Sequence, residues 1–426
     1  MSAGTEAESA GSGARTVALC LAALAFFAEG IGTQAMGLAA PAILSAWSVP
    51  RAALALPTAL GLVGFAAGAV VGGIGGDRFG RRVALLGSLL LLGAFTAACA
   101  LAHTPAELGI VRMFAGLGLG ASLPVAATVI AESAPVRVRS MAMAVGLAFL
   151  PLGGFAAGLG ASVILPTWGW RGLFAAAGGV GLVLALAGAL AFGREHPAAN
   201  TPRRQASPLS VSTLRNFGAL LSSAERRDTL GFWGAFFCVV LLYYSMFSWA
   251  PTAFASLGMS LAAASRTMSS FSVGGLIGGL CAGALVQRFG SRSTLWMLCV
   301  GALATAVLMP ALAHAAMRDP RPLAIAVAVL GATVIGVQTL LYAMGPQIYA
   351  PAQRSTGIGL AVGAGRIGAV ASSYTGVLAL DLGGVRGFFG SIALAIGLAL
   401  TCGVLIRRHI PARGELQIGR WPSQAR

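Results

Sequence analysis

Gly72–Arg82 reads GGIGGDRFGRR, and a blunted copy, GALVQRFGSR, returns at Gly283–Arg292. Aligning Gly80 with Gly290 gives an offset of 290 − 80 = 210 residues, close to half of the 426-residue chain, so the sequence reads as one unit duplicated and fused. Each copy joins two long apolar runs. A short, glycine-bounded, arginine-rich turn between membrane-length helices fits only the side of a bilayer that favours positive charge.

Composition leads to the same class. With 57% hydrophobic residues, 9% charged residues and a mean hydropathy of +0.85, the chain lies far from the globular balance and reads as a polytopic membrane protein. A hydrocarbon layer of ~30 Å needs about 20 apolar residues per helical crossing. The sequence predicts twelve such spans, at about 16–40, 52–74, 83–103, 107–131, 141–165, 171–193, 229–254, 263–286, 293–315, 322–348, 356–380 and 386–407. The runs are apolar all round and longer than any strand, which excludes a β-barrel. The expected fold is an all-α membrane protein with twelve transmembrane helices in two pseudo-symmetric six-helix bundles. Its parts are a disordered cytoplasmic tail (1–15), an N-terminal bundle (16–193), a polar cytoplasmic linker (194–228), a C-terminal bundle (229–407) and a second cytoplasmic tail (408–426). Within the linker, 210–224 could form a short surface helix.

The net charge of +16 points to topology and not to nucleic acid. There is no lysine, and of the 28 arginines 20 fall on the side of the termini, six on the other (Arg51, Arg171, Arg266, Arg318, Arg321 and Arg386) and two within spans. That bias is the positive-inside pattern, with both termini cytoplasmic in a multi-pass inner (plasma) membrane protein. The six cysteines fall inside spans without ligand spacing and read as core filler. The first residues carry no basic n-region leading to a cleavage site, so they are not read as a signal peptide.

Several residues stand out as chemistry. Glu29 sits halfway along the first span, in FFAEGIGTQAMGLAAP, beside Gln34. A charged carboxylate at that depth costs at least ~2.5 kcal/mol. It is either a proton-binding group facing a cavity or a neutral acid in a helix-to-helix hydrogen bond. Arg112, in RMFAGLGLGASLP, either snorkels to the headgroups or pairs with Glu29. Arg366, ten residues after Thr356, is too deep to snorkel and needs a substrate carboxylate or an internal salt bridge. Gln338 and Tyr342 add polar groups near it. Tyr243 and Tyr244 are either packing residues or rings that stack on a ligand. In the opening motif Gly73 and Gly76 would allow close helix approach, Gly80 the turn, and Asp77 with Arg78, Arg81 and Arg82 a conformational latch or a purely topogenic turn. Glu132, Arg137 and Arg139 read as a structural charge cluster. No paired carboxylates, HExxH or serine–histidine arrangement appears, so the chain does not read as an enzyme, and no cofactor or metal site is expected.

Together these motifs resemble the major facilitator superfamily, whose loop between spans 2 and 3 has the pattern of Gly73–Arg82. Within it, AEGIGTQAMGLAAP, RMFAGLGLGASLP, SWAPT and RSTGIGLAVGAGRIG resemble the aromatic acid:proton symporters, which carry benzoates and phenylpropionates. The likeness covers nearly all the spans. It implies that Glu29 and Arg366 serve transport, and it maps its span 4 arginine onto Arg112 and its loop aspartate onto Asp77; on the residues themselves, Glu29 and Arg112 are the candidates for proton coupling and Arg366, Tyr243, Tyr244, Gln338 and Gln34 those for binding substrate. The chain departs from the pattern at Gly32, where a second acid is common, at Gln287, where the repeat usually has aspartate, and at Val125, where asparagine is frequent. The expected function is proton-coupled uptake of a small aromatic carboxylate by alternating access, in a monomer whose partners are the anion, protons and lipid. The alternatives are a proton-driven exporter of drugs or metabolites and a sensor or scaffold that no longer transports.

Overall fold

In the computed structural model, residues 2–191, 220, 225–316, 318–351 and 353–412 are described here, and no strand occurs among them. The helices are α1 (Ser2–Trp47), α2 (Ala55–Phe79), α3 (Arg81–Ala98), α4 (Pro105–Ser133), α5 (Arg139–Ala191), α6 (Arg226–Ala255), α7 (Leu261–Ala315), α8 (Arg321–Ile348) and α9 (Arg354–Leu405). Among the described residues these nine are long and apolar enough to cross a membrane. Residues 2–15, expected as a disordered tail, continue α1, in keeping with the helix formers Ala3, Glu6, Ala7, Glu8 and Ala10. The expected surface helix at 210–224 lies outside the described residues apart from Leu220.

Three helices are too long for one straight crossing. α5, α7 and α9 have 53, 55 and 52 residues, about 80 Å each at 1.5 Å per residue, and each contains one glycine with non-helical dihedrals. These glycines bring out the duplication. Gly80, between α2 and α3, has φ 89° and ψ 153°, and its partner by alignment, Gly290, has φ 75° and ψ 164°. Gly169 (φ 64°, ψ −169°) and Gly384 (φ 54°, ψ −141°) form a second pair, offset by 384 − 169 = 215 residues. Side chains other than hydrogen are strained at positive φ, so the same two turns are written with the same residue in each half.

Contacts divide the chain into two compact units, residues 1–206 with 247–269 and residues 207–246 with 270–426. In the first unit α2 and α4 lie backbone to backbone. An added Cβ at Gly64, Gly68 or Gly72 would strike the α4 backbone at Met113, Leu117 or Ala121, and one at Gly116 or Gly120 would strike α2. The stripe has a period of four, so it continues at Gly76 and misses Gly73, where an added Cβ meets nothing within 4 Å. The expectation that Gly73 permits close approach is therefore corrected to Gly72, one residue and about 100° around the helix. The interior of the unit is filled by Leu21, Phe26, Leu85, Leu89, Leu119 and Ile130.

α4 starts where its sequence says. Thr104 accepts from the Glu107 amide (3.2 Å) and Glu107 Oε2 accepts from the His103 amide (3.0 Å), a reciprocal cap around Pro105. Of the cysteines, Cys99, Cys238 and Cys299 are buried, whereas Cys20 and Cys281 are exposed and so are not core filler.

Candidate functional site

The residues singled out by sequence fall into three groups, two in the first unit and one in the second. Glu29 is 2% exposed on α1 and faces α4, with its Oε2 3.5 Å from Ser122 Oγ. The Ser122 hydroxyl donates to Leu119 O at 2.8 Å, the shorter contact, which leaves its lone pairs toward the carboxyl. A protonated Glu29 can donate to them. Gln34, further along α1, is also buried. Next to Glu29 the site of the missing second acid is filled, since an added Cβ at Gly32 would lie 2.8 Å from Leu119 Cδ2 and 3.2 Å from Leu92 Cδ1. A carboxyl there would enter a leucine contact.

Arg112 does not pair with Glu29, and that expectation is corrected. Its side chain is buried against α2, where an added Cβ on Gly61 would sit 3.3 Å from its Nε. Its Nε and Nη1 have no hydrogen-bond partner among the described residues. The reason is axial register. Ser122, which meets Glu29, lies ten residues further along α4, or about 15 Å at 1.5 Å per residue, beyond the reach of a guanidinium. Sequence gives the depth of each residue in its own span but not the stagger between spans.

The opening motif makes an ion-pair cluster. Arg81 Nη1 lies 2.7 Å from Asp77 Oδ1 and its Nε donates to Glu132 Oε1 at 3.2 Å, so one guanidinium joins the end of α2 to the end of α4. Gly76 leaves the room, since an added Cβ there would stand 2.7 Å from Arg81 Nη1. Arg78 lies over the Phe79 ring (5.6 Å), and Arg82 is half-buried. Glu132, read from sequence as a structural charge, is a member of this cluster. The signal available was its position at the end of the helix that packs on α2.

In the second unit α6, α8 and α9 converge. Gly365 and Gly368 of α9 face Val240 and the Phe237 backbone of α6, and this close approach presents Arg366 to the tyrosine pair. Arg366 Nη1 donates to Tyr244 Oη at 3.3 Å. Tyr244 is buried; Tyr243, half-buried, stands edge-on to it at 5.2 Å and tilts against Phe271 at 6.3 Å. Tyr244 therefore orients the guanidinium, which its sequence context did not reveal. On α8, Gln338 and Tyr342 are four residues apart and share a face; Tyr342 is 46% exposed and edge-on to Phe236 at 5.1 Å. A guanidinium amid phenols and rings can bind a planar carboxylate in two parallel hydrogen bonds and stack an aromatic body beside it.

Known proteins bear on this geometry. A 4-hydroxybenzoate transporter, PcaK, of Acinetobacter baylyi is 29% identical over 84% of this chain and 83% of its own length. A 3-(3-hydroxy-phenyl)propionate transporter of Escherichia coli is 29% identical over 94% of this chain and 95% of its own. The crystal structure of a D-xylose-proton symporter shares the fold, with a TM-score of 0.68 at 18% identity over 93% of this chain and 98% of that one. The profile of the Major Facilitator Superfamily matches residues 22–373 and 255–424. With repeated glycine turns, apolar helices of membrane length and a profile match over most of its length, this multi-pass membrane chain belongs to the Major Facilitator Superfamily.

Proposed function

We propose that the chain is a secondary active transporter that takes up a small aromatic carboxylate together with a proton. The observation that carries this reading is the bond from Arg366 to Tyr244 within a cluster of aromatic rings. Arg366 holds the carboxylate, Tyr244 fixes the plane of the guanidinium, and Tyr243, Gln338 and Tyr342 flank the ring. The relatives' names, with hydroxylated aromatic acids in both, support the substrate class. Gln34 is a further candidate contact. The proton goes to Glu29, whose neutral form Ser122 can accept from; Arg112, lacking a direct pair with Glu29, is left out of that step. Asp77, Arg78, Gly80, Arg81 and Arg82 form a latch between α2, α3 and α4.

Counting each limb of α5, α7 and α9 as one crossing gives twelve crossings in two six-helix halves, here placed in the inner membrane of a monomer with both termini cytoplasmic. Each limb is then long enough to cross the ~30 Å layer.

Proteoliposomes with an imposed pH gradient and labelled 4-hydroxybenzoate test the reading. Wild type is expected to accumulate the acid uphill, Glu29→Gln to lose accumulation while retaining exchange, and Arg366→Ala to lose recognition of the acid. Uphill uptake by Glu29→Gln would refute the proton assignment. Outward pumping would make the chain an exporter, and the absence of any flux would leave a sensor or scaffold.

A further inference from the structure

The second copy of the opening motif has lost the charges that hold the first. By the Gly80–Gly290 alignment Asp77 corresponds to Gln287 and Arg81 to Ser291, so the ion pair of the first copy has no counterpart. The chain beyond α9 takes its place. Ser291 N donates to Ile410 O at 2.9 Å and Ile410 N donates to Ser291 Oγ at 2.8 Å, and an added Cβ on Gly290 would lie 3.1 Å from Ile410 O and Ala412 N. The same segment reaches two more helices. Arg407 N donates to Asp228 Oδ1 at 2.7 Å, at the start of α6. Arg408 donates to both oxygens of Glu225 (3.0 and 3.3 Å) and to Ile348 O at the end of α8 (2.6 Å).

His409 sits at the centre of this segment. Its Nε2 lies 3.0 Å from Ile406 O, a pure acceptor, so Nε2 carries the proton. Its Nδ1 lies 3.1 Å from Ser291 Oγ. In the neutral ring, with Nε2 protonated, Nδ1 is an acceptor for the Ser291 hydroxyl proton while Ser291 Oγ accepts from Ile410 N. A proton on Nδ1 would turn the Ser291 hydroxyl proton away and add positive charge to a site that already feels Arg292 of α7. Asp228 of α6 is the opposing charge, with Glu225 engaged by Arg408.

We propose that residues 406–412 form a strap that clamps the start of α6, the Gly290 turn of α7 and the end of α8 in place of the lost ion pair, and that protonation of His409 releases it. Under the topology proposed above, the trigger is acidification of the cytoplasm, but the strap itself does not depend on the cargo. The pH dependence has a definite sign. Burial, with help from Arg292, lowers the pKa of His409, against the Ile406 carbonyl bond and Asp228. A group that titrates lower when strapped than when released stabilises the strap fully above its ordinary value, about 6.5, and loses that contribution as pH falls below it. The limit is a tenfold weakening per pH unit.

Hydrogen exchange on the full chain in nanodiscs, corrected for the intrinsic pH dependence of exchange, tests this. The Ser291 and Ile410 amides of wild type are expected to lose protection by up to about tenfold between pH 7.5 and 5.5. His409→Gln should remove the pH dependence, whether it leaves the strap closed or open, and Ser291→Ala should expose the Ile410 amide at both pH values. The proposal is overturned if wild-type protection is the same at both pH values, if His409→Gln shows the wild-type loss, or if Ser291→Ala keeps Ile410 protected. None of these readouts requires transport, so failure of the transport reading would be seen separately.

Discussion

Replacing Tyr244 by phenylalanine removes a single hydroxyl and leaves the ring. The ring is buried and held edge-on by Tyr243 at 5.2 Å, so packing survives, and the substitution removes the bond that Arg366 Nη1 donates at 3.3 Å. Such a bond contributes about 1 kcal/mol net, at the modest end for a charged donor because the contact is long. Without it the guanidinium loses one of the contacts that fix it before the carboxylate arrives, and the expected effect is about a fivefold rise in KM for the aromatic acid. Little change in kcat or in the amount of folded protein is expected. Initial rates of labelled 4-hydroxybenzoate uptake across a substrate series, with thermal melting as the control, measure both quantities. An unchanged or lower KM would refute the positioning role, because it would mean that the phenol competes with the substrate for Arg366. Tyr244→Ala is not a substitute test, since it also removes the ring from its contact with Tyr243.

Other expectations follow from the packing. Gly72→Ala puts a methyl 2.6–2.8 Å from Ala121 and should destabilise the first unit by about 1–3 kcal/mol, whereas Gly73→Ala meets nothing and should be neutral or stabilise by up to about 1 kcal/mol; melting in detergent distinguishes them. Gly32→Asp, which restores the acid that the resemblance leads one to expect, drives a carboxyl into Leu119 and Leu92. It should cost about 2.5–3.5 kcal/mol and leave the number of protons per substrate unchanged, as read from the uptake limit against an imposed gradient. Gly80→Ala, at φ 89°, should cost about 1–3 kcal/mol by strain alone and lower the yield of folded protein without altering KM.

The repeat was legible because its signal is local. A turn at positive φ selects glycine wherever it occurs, so Gly80 and Gly290 could be aligned from sequence and share their dihedrals in the structure. The deep charges were legible for a similar reason, since an arginine or glutamate within a span is costly unless something pairs or solvates it, and the residue type alone marks the place. Rotation about the helix axis was legible only through the glycine spacing, Gly64, Gly68, Gly72 and Gly76 every four residues, because α2 is apolar on every face and its hydrophobic pattern hides which side is packed. Stagger between helices was equally hidden, which is why Arg112 was matched with Glu29 although Ser122 occupies the facing position. The segment after α9 read as a tail because its partners, Glu225, Asp228, Ser291 and Ile348, lie 60 to 183 residues away in sequence.

Divergence between the two halves follows a physical pattern. Backbone conformation has been kept at both glycine pairs, while the side chains around one of them have exchanged charge for hydrogen bonds. The Arg81 cluster is partly exposed, with relative side-chain exposures of 30% for Arg81 and 46% for Asp77, so each of its pairs contributes at most about 1 kcal/mol. Loss of those charges from the second copy therefore costs little in stability and cannot by itself explain why a fourth element should be recruited there. The strap joins the start of α6, the Gly290 turn of α7 and the end of α8, as the Arg81 cluster joins α2, α3 and α4. If the strap served stability alone, an apolar contact would have sufficed. The choice of an imidazole beside Arg292 makes the connection dependent on a proton, and that dependence is what separates a switch from a brace.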